Sequence, residues 1–320
     1  MRDLTAPPAW ARDGLDEKPM HAALHTGTST APRRGALARR LRQGILLSAA
    51  IAAVGITAVA PAQADPALPG VGTGSANSTA TDPGATANFA PPSISPGDGE
   101  TVGVAQPVII NFQEPVTDHA TAEQAIKITS SNPAPGHFYW FSDKQVRWRP
   151  NEFWPANTDV TVEAGGTRTA YRIGDAFITT ADDDTHTITI TRNGEEIMTM
   201  PTSMGKTKHE TPNGTYFVGE QLRKMTMDSS TYGVPTTDPE GYKVDVEYAT
   251  RISNSGIFVH AAPWSVAQQG VSNASHGCLN VSTENAKWFF ENAKKGDPVI
   301  VQNTKGGTLN ARDGYGDWND

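Results

Sequence analysis

The chain holds one cysteine, Cys278, within the stretch Ser275-His276-Gly277-Cys278-Leu279-Asn280. Thiol chemistry runs through the thiolate, and a free thiol with a pKa near ~8.5 is mostly protonated at neutral pH. A neighbouring imidazole can accept that proton, which turns a cysteine into a nucleophile. Two histidines stand near in sequence. His276 lies two positions before Cys278, and His260 lies eighteen before it, closing the apolar run Ile257-Phe258-Val259. A strand-end residue followed by a loop can fold back onto a second strand, so both are candidate bases. Gly277 puts no side chain beside the nucleophile, which permits unusual backbone angles and a close approach by substrate. The amides of Gly277 and Cys278 are candidate donors to the oxyanion of a tetrahedral intermediate.

Other fates of a lone cysteine fit less well. A buried cysteine often fills a core, but polar His, Gly and Asn neighbours argue against that here. A metal site needs three or four ligands, and the sequence shows no Cys-x-x-Cys pair and no acidic ligand close to the cysteine, so no metal site is expected. A single cysteine excludes an internal disulfide framework and leaves only a bridge between molecules. His137, His186 and His209 show no partner in the sequence pattern and are read as structural.

These groups need a scaffold, and 320 residues allow about two domains. Hydrophobic residues make up 37% and charged residues 19%, with 30 glycines and 23 prolines, a mix expected of loop-rich β domains plus some disorder. The net charge is −8 and no basic stripe interrupts the later chain, which excludes nucleic acid as a partner. The one basic cluster, Arg33 to Arg42, precedes the apolar run Ile45–Ala60 and an Ala-x-Ala site at Ala62–Ala64. Positive flank, apolar core and small-residue site are the parts of an export signal. At 16 residues the run is short of the roughly 18–20 that span a bilayer comfortably. Residues 1–64 are therefore expected to be a cytoplasmic tail plus a signal peptide or an uncleaved membrane anchor. That anchor would be the only membrane contact. Residues 65–92, rich in Ala, Gly, Pro, Ser and Thr, read as a disordered linker.

Short alternating runs follow over residues 93–174: Gln106–Val116, Ala125–Ser131, His137–Ser142, Gln145–Pro150 and Asp159–Gly165. They predict a small β-sandwich with Trp140, Trp148 and Trp154 in its core or at its contact with the next domain. A second β-rich block spans residues 175–304. Thr185–Thr191 and Ile197–Met200 flank an Asn-Gly turn and predict a hairpin. One helix is expected after Ser282 or Thr283, with Ala286, Phe289, Phe290 and Ala293 on one face, Lys294 and Lys295 in the last turn, and Gly296 ending it. A closing strand, Pro298–Asn303, follows. In the tail, residues 305–320, Tyr315 and Trp318 either pack back onto a domain or hang loose.

The stretch HAAPWSVAQQGVSNASHGCLN, His260–Asn280, resembles the active-site motif of the L,D-transpeptidases, the YkuD-domain enzymes of bacterial peptidoglycan. That motif is a histidine, a spacer, then Ser/Thr-His-Gly-Cys-apolar-Asn, and here the spacer is the fourteen residues Ala261–Ala274. Met227–Pro235, Gly241–Thr250, Ser255–His260 and Gly174–Asp183 are similar to actinobacterial, mycobacterial-type members, and the likeness runs from Ile94 to Asn319. The resemblance implies a mainly β fold: an Ig-like β-sandwich followed by a β-rich YkuD-type catalytic domain with one notable helix.

It also implies a cell-wall acyltransferase without a cofactor. Cys278 would attack the bond between diaminopimelate and D-alanine in a peptidoglycan stem tetrapeptide and form a thioester. The side-chain amine of a second diaminopimelate would resolve it into a cross-link between third positions. Carbapenem β-lactams would be covalent inhibitors. The resemblance makes His260 the general base, gives His276 a supporting role and keeps Gly277 in the catalytic set. Tyr242 would lie near the acyl site, Ser255, Gly256 and Asn280 would contact substrate, and Met227 and Trp264 would wall the pocket. Many relatives carry Ser where this chain has Ala261. That residue is thought to orient the histidine through its backbone carbonyl, which alanine retains. The same site could pass the acyl group to water, as an L,D-carboxypeptidase, or to a protein amine. A non-catalytic wall-binding module is disfavoured by the presence of both His260 and Cys278.

Overall fold

A computed structural model describes residues 87–319. The expected leader and most of the expected linker, residues 1–86, lie outside the described residues. Among the described residues no helix is long and apolar enough to cross a membrane.

Eight strands come first: β1 (Ser93–Ser95), β2 (Thr101–Val102), β3 (Val108–Asn111), β4 (Ile126–Ser130), β5 (Gly136–Ser142), β6 (Gln145–Pro150), β7 (Asp159–Ala164) and β8 (Thr167–Ile173), with a short helix α1 (His119–Gln124) before β4. They form two four-stranded sheets, ordered β1-β3-β6-β5 and β2-β8-β7-β4. Period-two alternation makes the core: Val160, Val162 and Ala164 of β7 are buried between exposed Asp159 and Glu163. They meet Val108, Ile110 and Val146 of the other sheet in one apolar cluster. Trp154 is buried there, its Nε1–H donating to the Gln106 carbonyl at 2.9 Å, with Trp148 against its ring. Trp154 is a core residue, and Trp140 and Trp148 are partly buried and pack against that core. Strand β8 carries a weaker sequence signal: its inward positions are Thr169, Tyr171 and Ile173, only one of them aliphatic, between the outward Arg168 and Arg172.

The second block holds β9 (Phe177–Asp182), β10 (Thr187–Arg192), β11 (Glu195–Pro201), β12 (Gly214–Phe217), β13 (Gln221–Asp228), β14 (Lys243–Arg251), β15 (Phe258–Ala261), β16 (Leu279–Val281), helix α2 (Thr283–Asn292) and β17 (Pro298–Gln302). Its sheets run β11-β10-β9-β17-β12 and β13-β14-β15-β16. The hairpin β10–β11 turns at Asn193 and Gly194, with φ of 52° and 88°, the paired positive angles that favour Asn-Gly. Ile188, Ile190 and Met200 of the first sheet pack with Val259, Leu279 and Val281 of the second and with Phe289 of α2. Ser282 caps α2, its side chain accepting from the Asn285 amide at 3.2 Å.

The helix is shorter than its apolar face predicts. It ends at Asn292, and Lys294 and Lys295 lie beyond it. Buried Asp297 is the reason: its Oδ2 accepts the Lys294 amide at 2.7 Å and its own amide donates to the Lys294 carbonyl, which bends the chain into a turn. That turn receives the β2–β3 connection, with Gly103 and Ala105 amides donating to the Lys295 and Gly296 carbonyls at 2.8 and 2.9 Å. A Cβ on Gly103 would collide with the backbone of Gly296 and Asp297. The tail packs back: Arg147 meets buried Asp317 at 3.0 Å, and Trp318 donates to the Ala105 carbonyl at 2.9 Å.

Candidate active site

Parallel pairing of β15 with β16 brings the two ends of the motif together. Val259 stands opposite Leu279 and His260 opposite Asn280. Cys278 is the residue just before β16, so it emerges beside the start of β15, with Sγ 3.8 Å from the Gly256 carbonyl oxygen. His260, Cys278, His276, Tyr242, Met227 and Trp264 line one narrow pocket of about 20 Å³, room for little more than a water molecule.

His260 is 3% exposed, and its Nδ1 lies 2.9 Å from the Ala261 carbonyl oxygen. A carbonyl only accepts, so Nδ1 carries the proton and Nε2 is the bare lone pair. Burial pushes the imidazole pKa down to about 4, which keeps the ring neutral at physiological pH, with Nε2 unprotonated. The Cys278 thiol is pushed up to about 11 by burial, against an opposing pull from the Phe258 backbone amide. The resting pair is therefore a neutral thiol with a neutral imidazole, and deprotonation must accompany attack on a carbonyl.

The nucleophile loop is held from several sides. The Ser275 hydroxyl donates to the Cys278 carbonyl at 2.6 Å and accepts the Gly277 amide at 3.1 Å. Thr211 Oγ1 donates to the Gly277 carbonyl at 2.8 Å and accepts the Gly205 amide at 3.0 Å. Gly277 has φ of +116°, yet an added Cβ would meet nothing closer than 3.8 Å. Backbone angle, rather than space, demands the glycine. Its amide is engaged by the Ser275 hydroxyl. With the Gly277 amide engaged, the Cys278 amide is the stronger candidate for an oxyanion donor.

His276 is placed differently from His260. Its Nε2 lies 2.9 Å from Glu240 Oε2, and its ring stands 5.1 Å from Tyr242 and 4.6 Å from His209. The same Glu240 oxygen is 2.8 Å from Lys206 Nζ and 3.6 Å from His209 Nε2. Lys206, then His276, hold the Glu240 carboxyl down to about 2. Burial lowers the His276 pKa against the raising pull of Glu240. Glu240 stands 36 positions before His276, and no spacing rule pointed to it. Two expectations are corrected: an acidic group does stand beside these histidines, and His209 has partners. His186 and His137 have them too, in Asp183 at 3.5 Å and Asn151 at 3.0 Å.

The expected substrate contacts divide between two cavities. Trp264 and Asn280 face the narrow pocket, the Trp264 ring 6.2 Å from that of His260. Asn280 is 1% exposed and gives its side-chain N–H to Ser265 Oγ at 3.2 Å, so it braces the loop after β15. Ser255 and Gly256 line a second cavity of about 370 Å³, and Met227 and Tyr242 line both. Ser255 is tied to the tail, its amide and hydroxyl both donating to Asp313 at 2.6 Å. Residues 229–242 form a flap between β13 and β14. Its neck is closed by reciprocal bonds of Ser229 with the backbone of Tyr242, at 2.9–3.1 Å.

A bacterial Ig domain model matches residues 71–167, and the L,D-transpeptidase catalytic domain model, YkuD, matches residues 176–301. L,D-transpeptidase 1 of Mycobacterium tuberculosis strain H37Rv is 43% identical over 209 residues, which are 65% of this chain and 83% of that protein. The chain belongs to the L,D-transpeptidase family. L,D-transpeptidase 2 of Mycobacterium tuberculosis strain CDC 1551 is 51% identical over 247 residues, 73% of this chain. The match spans 60% of that relative's length. A solved LD transpeptidase in complex with imipenem superposes with a TM-score of 0.64 at 43% identity, covering 66% of this chain and 97% of that one. The expected architecture, an Ig-like sandwich before a YkuD domain with one notable helix, is the architecture found.

Proposed function

We propose that this L,D-transpeptidase family member is an exported peptidoglycan cross-linking enzyme with Cys278 as nucleophile and His260 as base. One observation carries the reading. His260 spends its Nδ1–H on the Ala261 carbonyl, which leaves Nε2 without a proton, and it lines the same narrow pocket as Cys278.

As Sγ attacks the carbonyl between diaminopimelate and D-alanine, its proton passes to His260 Nε2. The Cys278 amide donates to the developing oxyanion, the kind of preorganised donor worth about 3–4 kcal/mol in acyl transfer. Collapse expels D-alanine, whose nitrogen takes the proton from His260. The acceptor amine gives a proton to the same Nε2 as it attacks the thioester, and the leaving thiolate recovers it. His276, held by Glu240, and Gly277 shape the loop that carries the nucleophile. Tyr242 and Met227, which border both cavities, guide the two stem peptides, with Ser255 and Gly256 on the wider side and Trp264 and Asn280 behind His260. No step needs a cofactor. A β-lactam carbonyl, as in carbapenems, would be attacked in the same way.

Export rests on the leader at residues 1–64, cleaved or retained as an anchor. The linker at residues 65–92 and the sandwich at residues 93–174 would lift the catalytic domain at residues 175–304 into the wall. Incubation with a disaccharide tetrapeptide, followed by product masses, tests the reading. A cross-linked dimer with release of D-alanine is expected. A hydrolysed tripeptide alone would make the enzyme an L,D-carboxypeptidase, and unchanged substrate would contradict catalysis.

A further inference from the structure

We propose that His209, Glu240 and His276 form a site for one divalent transition metal ion, best suited to Zn²⁺, that locks the flap over the nucleophile loop. His276 Nε2 and His209 Nε2 lie 2.9 and 3.6 Å from the same Glu240 oxygen. All three donor atoms lie within 4.8 Å of one another. A four-coordinate zinc ion with bonds of about 2.0–2.2 Å sets its ligands roughly 3.4 Å apart, which the present separations bracket. Two imidazoles with one carboxylate suit zinc better than calcium or magnesium, which prefer all-oxygen shells. Three protein ligands leave a fourth place for water.

Each ligand belongs to a different segment. His209 lies between β11 and β12, Glu240 lies in the flap between β13 and β14, and His276 lies two residues before Cys278. An ion bound here would tie all three together. Tyr242, at the flap's end, already stands 5.1 Å from the His276 ring. Flap opening and entry of a stem peptide would then require release of the metal, making the ion a reversible inhibitor. That consequence rests on the transpeptidase reading, whereas binding itself does not.

Lys206 is the competitor. Its ammonium sits 2.8 Å from Glu240 Oε2, and its side chain is 28% exposed, so it can swing into solvent when a metal takes the carboxylate. Its positive charge also opposes a cation. Removing it should therefore strengthen metal binding, whereas a latch made only of ion pairs would loosen.

The test is titration of the full-length Cys278→Ser protein with Co²⁺ and Zn²⁺, which removes the thiol as a ligand. One equivalent of Co²⁺ should bind with the visible spectrum of a four-coordinate ion and no sulfur-to-cobalt band, and Zn²⁺ should displace it. His209→Ala and Glu240→Gln should each weaken uptake beyond the roughly 10–100-fold that loss of an outer-shell partner costs, and Lys206→Met should tighten it. No uptake, uptake unchanged in His209→Ala, or uptake only with Cys278 present would overturn the site. In the wild type, Zn²⁺ should slow acylation and a chelator should restore it, while His209→Ala should be insensitive. Zinc bound without slowing would overturn the lock.

Discussion

His260 and Ala261 are joined by a hydrogen bond from the imidazole Nδ1 to the next residue's own carbonyl, 2.9 Å long. The orienting group is thus backbone, and the side chain at 261 takes no part in it. Ala261→Ser should leave kcat/KM within about fivefold of wild type, under about 1 kcal/mol in barrier. Steady-state kinetics on a tetrapeptide substrate checks this, and a larger change would give the residue 261 side chain a role.

The paired pKa displacements fix a pH profile. With the imidazole down near 4 and the thiol up near 11, both groups are neutral between those values. Alkylation of Cys278 by iodoacetamide should rise about tenfold per pH unit through the neutral and mildly alkaline range. It should show no plateau of the kind a thiolate–imidazolium pair produces. A rate that levels off below about pH 8 would show a preformed ion pair.

Gly277 separates angle from space. Alanine has room there but not the angle, since φ is +116°. Gly277→Ala should cost about 1–3 kcal/mol of stability and lower kcat by shifting the Cys278 amide and thiol. Thermal unfolding measured beside turnover distinguishes this from a neutral replacement.

Asp297 makes stability depend on pH. Burial raises its folded pKa to about 7 from an unfolded value of 3.8, so the folded state binds this proton more tightly. The contribution is full below about pH 3.8 and is lost as pH rises through about 7. Asp297→Asn should remove that dependence, and its advantage over wild type should grow with pH to at most about 4 kcal/mol. Denaturant midpoints of both proteins at several pH values between those limits would show the lines diverge, and parallel lines would contradict the assignment.

The site was legible where chemistry is local in sequence. Cys278, Gly277 and His276 are neighbours, and His260 ends an apolar strand, so strand pairing was a natural route to the cysteine. The Asn-Gly hairpin and the sandwich strands were legible because period-two alternation and turn chemistry are short-range signals. Glu240, Lys206 and Thr211 were not, because each reaches the motif from a distant loop and a lone polar loop residue has no pattern. The end of α2 was misjudged for the same kind of reason. An apolar face predicts a helix, but the turn that stops it is set by a buried carboxylate five residues past the last helical position.

Intact-protein mass spectrometry after incubation with imipenem tests the nucleophile and its base together. Freshly reduced wild type should carry one covalent adduct that maps to Cys278, Cys278→Ala should carry none, and His260→Ala should acylate about 10²–10⁴-fold more slowly. An unmodified wild type, an adduct on Cys278→Ala, or an undiminished rate in His260→Ala would contradict the account.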